Sequence, residues 1–462
     1  MSSNSSLHIV IFPFMSKGHT IPMLHLTRLL LLRRGITITI VTTQANSPFI
    51  RQSLYDTQPP VNVIELAFPA NIPQLPPGVE STDRLPSMSL FVPLANATKL
   101  MQPDFERVLK SLSASGGISF IISDGFFGWT QQSAEKFGIP RLVFSGMNNY
   151  TMTICGVLAG DRSHLRLGPD EPFTVPGFPW VNLTMNDFDP TFNDPELKGP
   201  HMEFIMEVAT ATSKSQGIVV NSFYELEPTY LDYWNREFVP KAWCVGPLCL
   251  AEPPKVDRDQ KPEWIKWLDQ KSAEGRSVLY VAFGSQAEIS PEQLREMADG
   301  LEQSEVCFLW VVRSKVEGLE ERVKERGLVV REWVDQVEIL RHESVNGFMS
   351  HCGWNSAMES ICASVPILAW PMMAEQPFNA RMVAEELGVG LRIVASNGSV
   401  RGFVSSEIVE KMVRELMEGE EGKKARRKVK DIGKAARKAM EGGSSWRTLD
   451  QLIDETCRKK DP

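Results

Sequence analysis

The stretch from Trp333 to Gln376, WVDQVEILRHESVNGFMSHCGWNSAMESICASVPILAWPMMAEQ, gathers side chains that could hold a charged ligand. Val345 to Ser350 reads as a buried strand. It delivers His351, Gly353, Trp354, Asn355 and Ser356 to the start of a helix. A helix N-terminus offers free N–H groups and the positive end of a dipole, so it favours an anion. Gly353 permits close backbone approach, and His351, Asn355 and Ser356 add side-chain donors. Together these could hold a diphosphate without a metal. Glu359, one turn on, is placed to accept from two ribose hydroxyls. Trp333 offers a flat face on which a base can stack. Glu375 and Gln376 follow another strand end and precede Pro377, expected at the first helical position; acceptor and amide together suit vicinal sugar hydroxyls. Taken singly, His351 or Trp333 reads as an ordinary core residue. The full constellation reverses that reading. Trp370, Cys352 and Cys362 are read as core.

A second constellation is His19 with Asp124. Each follows a strand, so both should project to the carboxyl edge of one sheet, where α/β proteins place ligands. An imidazole can take a proton from a hydroxyl at neutral pH. A carboxylate on its other nitrogen would orient the ring and stabilise its charged form. The plainer readings are a helix-start contact for His19 and a turn residue for Asp124. His25, two turns further, is read as packing. Phe14, Phe126, Phe127, Trp129, Met147 and Tyr150 are expected to line an apolar pocket beside this pair. Asp187-Phe-Asp189 and Asp257-Arg-Asp259 imitate a metal-binding DxD triplet. Such triplets arise easily by chance, and no metal is assigned to either.

The elements that must position these groups read as alternating strands and helices. Leu7–Phe14 is a continuous apolar run, the mark of a strand buried on both faces. A helix from His19 to Arg34 follows, with Arg33 and Arg34 before Gly35 as stop signals. Ile36–Thr43 completes a βαβ unit. Further strands are expected at 118–123, 141–145 and 217–221. The same grammar restarts at 277–284. There Ser290, Pro291 and Gln293 read as a capping box, and strands follow at 306–312, 345–350 and 365–370. Leu250–Pro262 is polar, Pro-bearing and linker-like. The expected organisation is an acceptor-binding α/β domain over 1–249, a linker over 250–262, a donor-binding α/β domain over 263–442, and a C-terminal helix over 443–462 packing back toward the first domain. A cleft between two such domains is the natural ligand site. The loops 68–103 and 167–200 are longer than ordinary connections. The basic run 423–437 is read as a solvated helix face interleaved with acids.

Composition narrows the classes. The chain has 462 residues and a net charge of −8, against the basic footprint of a nucleic-acid binder. No apolar run reaches the length of a membrane span, and the first residues lack a signal peptide's basic region. Seven scattered cysteines show no CxxC spacing, so neither a disulfide framework nor a zinc site is expected, and a reducing cytoplasm fits. The sequons at Asn96, Asn182 and Asn397 then carry little weight. Neither a dinucleotide-binding GxGxxG after a strand nor a GxxxxGK[ST] loop is present.

The Trp333–Gln376 stretch resembles, without insertion, the signature box of the plant family 1 UDP-glycosyltransferases. The resemblance runs along nearly the whole chain: HIVIFPFMSKGHTIPM from His8, NSFYELE from Asn221, VGPL from Val245 and FGS ending at Ser285 are similar to other family motifs. It implies a GT-B fold of two facing Rossmann-like domains. Carried over by motif, Trp333 stacks on uracil and the Val334 backbone bonds it. Gln336 and Glu359 hold ribose. His351, Asn355, Ser356 and Ser285 hold phosphates, and Trp354, Glu375 and Gln376 meet the sugar. A final Gln resembles glucose users more than galactose users. His19 and Asp124 correspond to the family's catalytic pair. Two residues depart from the pattern: Asp335 where Pro is usual, and Ser364 where Gly is usual. The implied activity is an inverting, metal-independent transfer of glucose from UDP-glucose, a co-substrate rather than a cofactor, to a small flavonoid or phenolic acceptor by a monomer. A UDP-sugar epimerase or hydrolase on this fold, or a non-catalytic UDP-sugar binder, are the rival readings. The His19–Asp124 pair favours the transferase.

Overall fold

A computed structural model of the chain describes residues 6–189, 198–251, 261–284, 286–313, 318, 322–323, 325–395, 397–399 and 402–458. Of the sequence expectations, Asp257, Asp259, Ser285 and most of the linker lie outside the described residues. By internal contacts the chain divides into two units. The first joins Met1–Asn149, Glu196–Pro253 and Ala439–Pro462; the second joins Tyr150–Pro195 and Pro254–Lys438.

In the first unit, strands β1 (Leu7–Phe12), β2 (Ile36–Thr43), β3 (Asn62–Leu66), β4 (Phe120–Asp124) and β5 (Arg141–Ser145) enter one parallel sheet. β6 (Phe173–Val175) and β7 (Phe178–Leu183) form a separate antiparallel hairpin in the second unit. β8 (Gly217–Val220) and β9 (Ala242–Cys244) complete the first sheet, whose order is β3-β2-β1-β4-β5-β8-β9. The apolar run of β1 is explained by its two faces. Ile9 and Ile11 enter one core layer, Val10 and Phe12 the other, because successive side chains of a strand point opposite ways.

The second unit repeats the plan with β10 (Val278–Ala282), β11 (Cys307–Val311), β12 (Gly327–Val330), β13 (Val345–Ser350), β14 (Ile367–Ala369) and β15 (Gly390–Arg392). They form a parallel sheet ordered β12-β11-β10-β13-β14-β15. Leu279 and Val281 face one core layer, while Val278, Tyr280 and Ala282 face the other.

The helices begin and end for identifiable reasons. The first spans Lys17–Leu31, shorter at its end than the run to Arg34 suggests. Arg33 turns back instead, its Nη1 donating to the Leu29 carbonyl at 2.7 Å, and Gly35 takes φ +78°. Pro291–Gln303 is capped by Ser290, whose hydroxyl accepts from Gln293 N–H at 3.2 Å. The reciprocal half of the expected capping box is absent: the Gln293 amide pairs with both backbone groups of Val404 (2.8 and 2.9 Å). A cross-element partner has outcompeted the local one. The loop 68–103 contains the short helices Met88–Leu90, Phe91–Ala97 and Thr98–Met101. The basic run lies on the helix Glu420–Met440, where Lys423, Lys424 and Lys434 pair with acids three residues earlier. Among the described residues, no helix is long and apolar enough to cross a membrane.

Candidate active site

His19 and Asp124 are brought together in the first unit. β1 and β4 are parallel neighbours, with Phe12 opposite Ser123, so the segments leaving their carboxyl ends share one rim. His19 Nδ1 lies 2.7 Å from Asp124 Oδ2. Asp124 is fully buried, and its other oxygen accepts the Phe126 N–H at 2.9 Å. An ionised carboxylate can only accept, so Nδ1 carries the proton and the neutral ring keeps its lone pair on Nε2. That is the tautomer a base needs.

Behind Asp124 sits Arg141, which the sequence reading passed over. It is almost completely buried, with Nε 2.7 Å from Ser123 Oγ and 2.9 Å from Thr130 Oγ1, and Nη1 2.6 Å from Ser215 Oγ. Burial pulls its pKa down to about 10, opposed by the Asp124 charge. A buried cation beside a buried carboxylate offsets part of the cost of keeping that carboxylate charged. Arginine in a strand reads as an exposed residue, so only the packing reveals it.

Aromatic rings surround His19: Phe126 at 4.7 Å and Phe14 at 6.0 Å between centroids. Phe91 lies 5.2 Å from Phe126 and also escaped the sequence reading. Of the expected pocket residues, Phe14, Phe127 and Trp129 lie in the apolar core, and Trp129 Nε1 donates to Thr98 Oγ1 at 3.1 Å. Met147 is exposed, and Tyr150 is buried within the second unit.

In the second unit, Trp333 is 74% exposed, unusual for so large an apolar ring, while Val334 beside it is buried. Asp335 has a definite job: its carboxylate caps the helix Gln336–Leu340, accepting the Glu338 N–H at 3.0 Å. Gln336 Nε2 donates to Glu359 Oε2 at 2.7 Å and Ser356 Oγ at 2.9 Å. Buried Tyr280, another residue the sequence did not single out, donates its hydroxyl to Gln336 Oε1 at 3.3 Å.

β13 delivers His351 to the helix Trp354–Ala363, whose N-cap is Gly353. A Cβ at position 353 would come within 2.6 Å of His351 Nε2, and one at Gly284, whose φ is +73°, within 3.0 Å. The two glycines clear the edge of the imidazole. Burial pulls the His351 pKa down to about 4, against a weaker opposing pull from the Ala282 carbonyl, so the ring is a neutral donor near pH 7. Trp354 is buried, while Asn355 and Ser356 are partly exposed at the first turn. Gln376 Oε1 accepts from Met372 N–H (2.9 Å) and Met373 N–H (3.1 Å), fixing the turn that carries Glu375. The helix Gln376–Arg381 starts one residue before Pro377, not at it. Trp370 packs edge-on against Phe283 in the core, and Cys352 and Cys362 are buried.

The chain matches the family described as UDP-glucoronosyl and UDP-glucosyl transferase over residues 191–433. It is 54% identical to UDP-glycosyltransferase 90A1 of Arabidopsis thaliana, covering 98% of this chain and 97% of the relative. It is 34% identical to UDP-glucose flavonoid 3-O-glucosyltransferase 7 of Fragaria ananassa, covering 98% and 96%. The structure of Phytolacca americana UGT2 complexed with UDP-2fluoro-glucose and pterostilbene is similar at 30% identity, with a TM-score of 0.82, covering 98% of this chain and 100% of that one. The protein therefore belongs to the UDP-glycosyltransferase family. Its fold class is α/β of the GT-B type, with two Rossmann-like domains, and it is an enzyme that moves a sugar from a UDP-sugar to a small-molecule acceptor.

Proposed function

We propose that the enzyme transfers glucose from UDP-glucose to a hydroxyl of a small aromatic acceptor of flavonoid or phenolic type, with inversion at C1. The carrying observation is the His19–Asp124 contact of 2.7 Å inside an aromatic surround, present alongside the donor-binding constellation. A UDP-sugar binder has no use for that pair, and an epimerase or hydrolase has no use for an apolar acceptor wall. His19 Nε2 takes the acceptor proton. The acceptor oxygen forms its bond to C1 as the bond from C1 to the diphosphate breaks, through an oxocarbenium-like transition state. Asp124 stabilises the imidazolium, and UDP departs with the electron pair. Charge growing on the diphosphate meets His351, Asn355, Ser356 and the N-terminus of the helix Trp354–Ala363, with Ser285 assigned by motif.

In this reading residues 1–249 bind acceptor and 263–442 bind donor. Trp333 and Val334 take the base, Gln336 and Glu359 the ribose, and Trp354, Glu375 and Gln376 the sugar. Phe91 and Phe126, both partly exposed, suit a flat apolar acceptor. The enzyme acts in the cytoplasm as a monomer. The described carboxylates of the DxD-like triplet are engaged by arginines and a backbone amide, which supports metal-independent transfer.

The test is mass spectrometry of products from a panel of phenolic acceptors offered UDP-glucose or UDP-galactose, with and without EDTA. A hexoside of a phenolic acceptor, formed preferentially from UDP-glucose and undiminished by EDTA, is expected. UDP release without any glycoside would favour a hydrolase, and loss on chelation restored by Mn²⁺ would reinstate a metal.

A further inference from the structure

The triplet Asp187-Phe-Asp189, set aside above as a chance imitation of a metal motif, makes contacts that give it work of another kind. All of them lie within the second unit. Asp187 closes the turn Met185–Asp187 through a capping box with Thr184. Its carboxylate takes two bonds from Arg381, Nε and Nη2 both at 2.8 Å, and a third from Arg392 Nη1 at 3.0 Å. Burial pushes the Asp187 carboxyl up, but the Arg381 bonds and charge, aided by Arg392, outweigh it and hold it below the usual range. Phe188 packs edge-on against Phe378 at 5.2 Å. Asp189, 4% exposed, accepts the Ala374 N–H on Oδ2 at 3.0 Å.

Ala374 is the informative end of that bond. It holds φ +53°, a left-handed conformation that is unfavourable for an L-residue. Such strain persists only where surrounding groups enforce it. The next residues are Glu375 and Gln376. The direction of their side chains is set by the peptide that Ala374 turns, and Gln376 Oε1 closes the same turn onto Met372 and Met373.

We propose that Asp189 is a positioning residue for the donor sugar. It holds Ala374 in the left-handed conformation that aims Glu375 and Gln376, and the Asp187–Arg381–Arg392 cluster anchors it. The inference rests on the reading of Glu375 and Gln376 as sugar-facing. It separates the sugar from the nucleotide: Trp333, Gln336 and Glu359 lie on other elements and do not depend on this turn.

Calorimetric titration of the full chain with UDP, UDP-glucose and UDP-galactose tests it without a known acceptor. Asp189→Ala is expected to raise the Kd for UDP-glucose about tenfold, the effect of losing one buried backbone hydrogen bond, and to leave the Kd for UDP within about twofold. Its preference for UDP-glucose over UDP-galactose should shrink. Asp189→Asn keeps an acceptor oxygen and should bind UDP-glucose within about threefold of wild type. Adding Ala374→Gly to Asp189→Ala should recover part of the loss, because glycine adopts positive φ unaided. An unchanged Kd for UDP-glucose in folded Asp189→Ala would overturn the proposal. So would parallel loss of UDP affinity, or a tenfold loss in Asp189→Asn, which is the variant that decides if Asp189→Ala does not fold. Gln376→Ala separates the underlying reading: if it leaves UDP-glucose binding untouched, the sugar-facing turn itself is wrong; if it weakens binding while Asp189→Ala does not, only the role of Asp189 fails.

Discussion

His19 and His351 carry the same side chain to opposite ends. His19 is bonded to a buried carboxylate, an arrangement that supports the charged form a base must reach. General base catalysis contributes about 10²–10⁴-fold, so His19→Ala should lower kcat by that factor on a phenolic hydroxyl and leave UDP affinity unchanged. An acceptor that is already ionised, such as a thiophenol, should partly escape the defect. Near wild-type turnover on the phenol would make His19 structural. His351, by contrast, is kept neutral by burial, with a pKa of about 4. The unfolded chain takes up this proton at the ordinary value, so its contribution to stability is complete above about pH 6.5 and is lost as pH falls toward 4. The slope is at most about 1.4 kcal/mol per pH unit. Urea unfolding of wild type and His351→Gln at pH 7 and pH 5 checks this: the wild type should lose more stability than the variant over that interval. An equal loss in both would show that the ring is not buried neutral.

At the scale of single elements, the two departures from the family pattern have opposite outcomes. Asp335 caps the helix Gln336–Leu340 with its own carboxylate and so serves the turn that presents Trp333. Ser364 ends the helix Trp354–Ala363 at φ +64°, ψ +34°, the left-handed position that glycine fills without strain. Its hydroxyl also closes on Gly433, where a Cβ would come within 2.6 Å. Ser364→Gly should therefore raise stability by about 1 kcal/mol, measured as an increased denaturation midpoint at unchanged m-value, with UDP affinity unaltered. A fall in stability would mean that the serine hydroxyl contributes more than the backbone strain costs.

Over the whole chain, the last helix belongs to the first unit although the whole of the second precedes it. Leu449, Leu452 and Ile453 of Ser444–Cys457 enter the same core layer as Ile9 and Ile11. Arg33 stacks on Trp446 at 3.8 Å and bonds Asp450 at 2.9 Å. Leu449→Ala should cost about 2–5 kcal/mol, seen as a lowered thermal midpoint. A shift of less than a degree would mean that the helix is dispensable to that core.

Local rules were enough for whatever depends on a short window. Continuous apolar runs marked the doubly buried strands, since burial on both faces leaves no polar alternation. Strand–helix–strand spacing marked the parallel sheets, and the candidate donor residues of the Trp333–Gln376 box could be grouped because they lie on consecutive elements. His19 and Asp124, 105 residues apart, could be paired because the carboxyl ends of neighbouring parallel strands share a rim. Long-range packing decided the rest. Arg141 stands out by nothing but its place in an expected strand, Phe127 and Trp129 read as pocket walls, and Asp187 and Asp189 as chance acids. Their partners come from Ser215, Thr98, Arg381 and Ala374, residues that no periodicity or spacing links to them. A buried polar group is defined by the atoms that satisfy it, and those atoms are chosen by the tertiary fold.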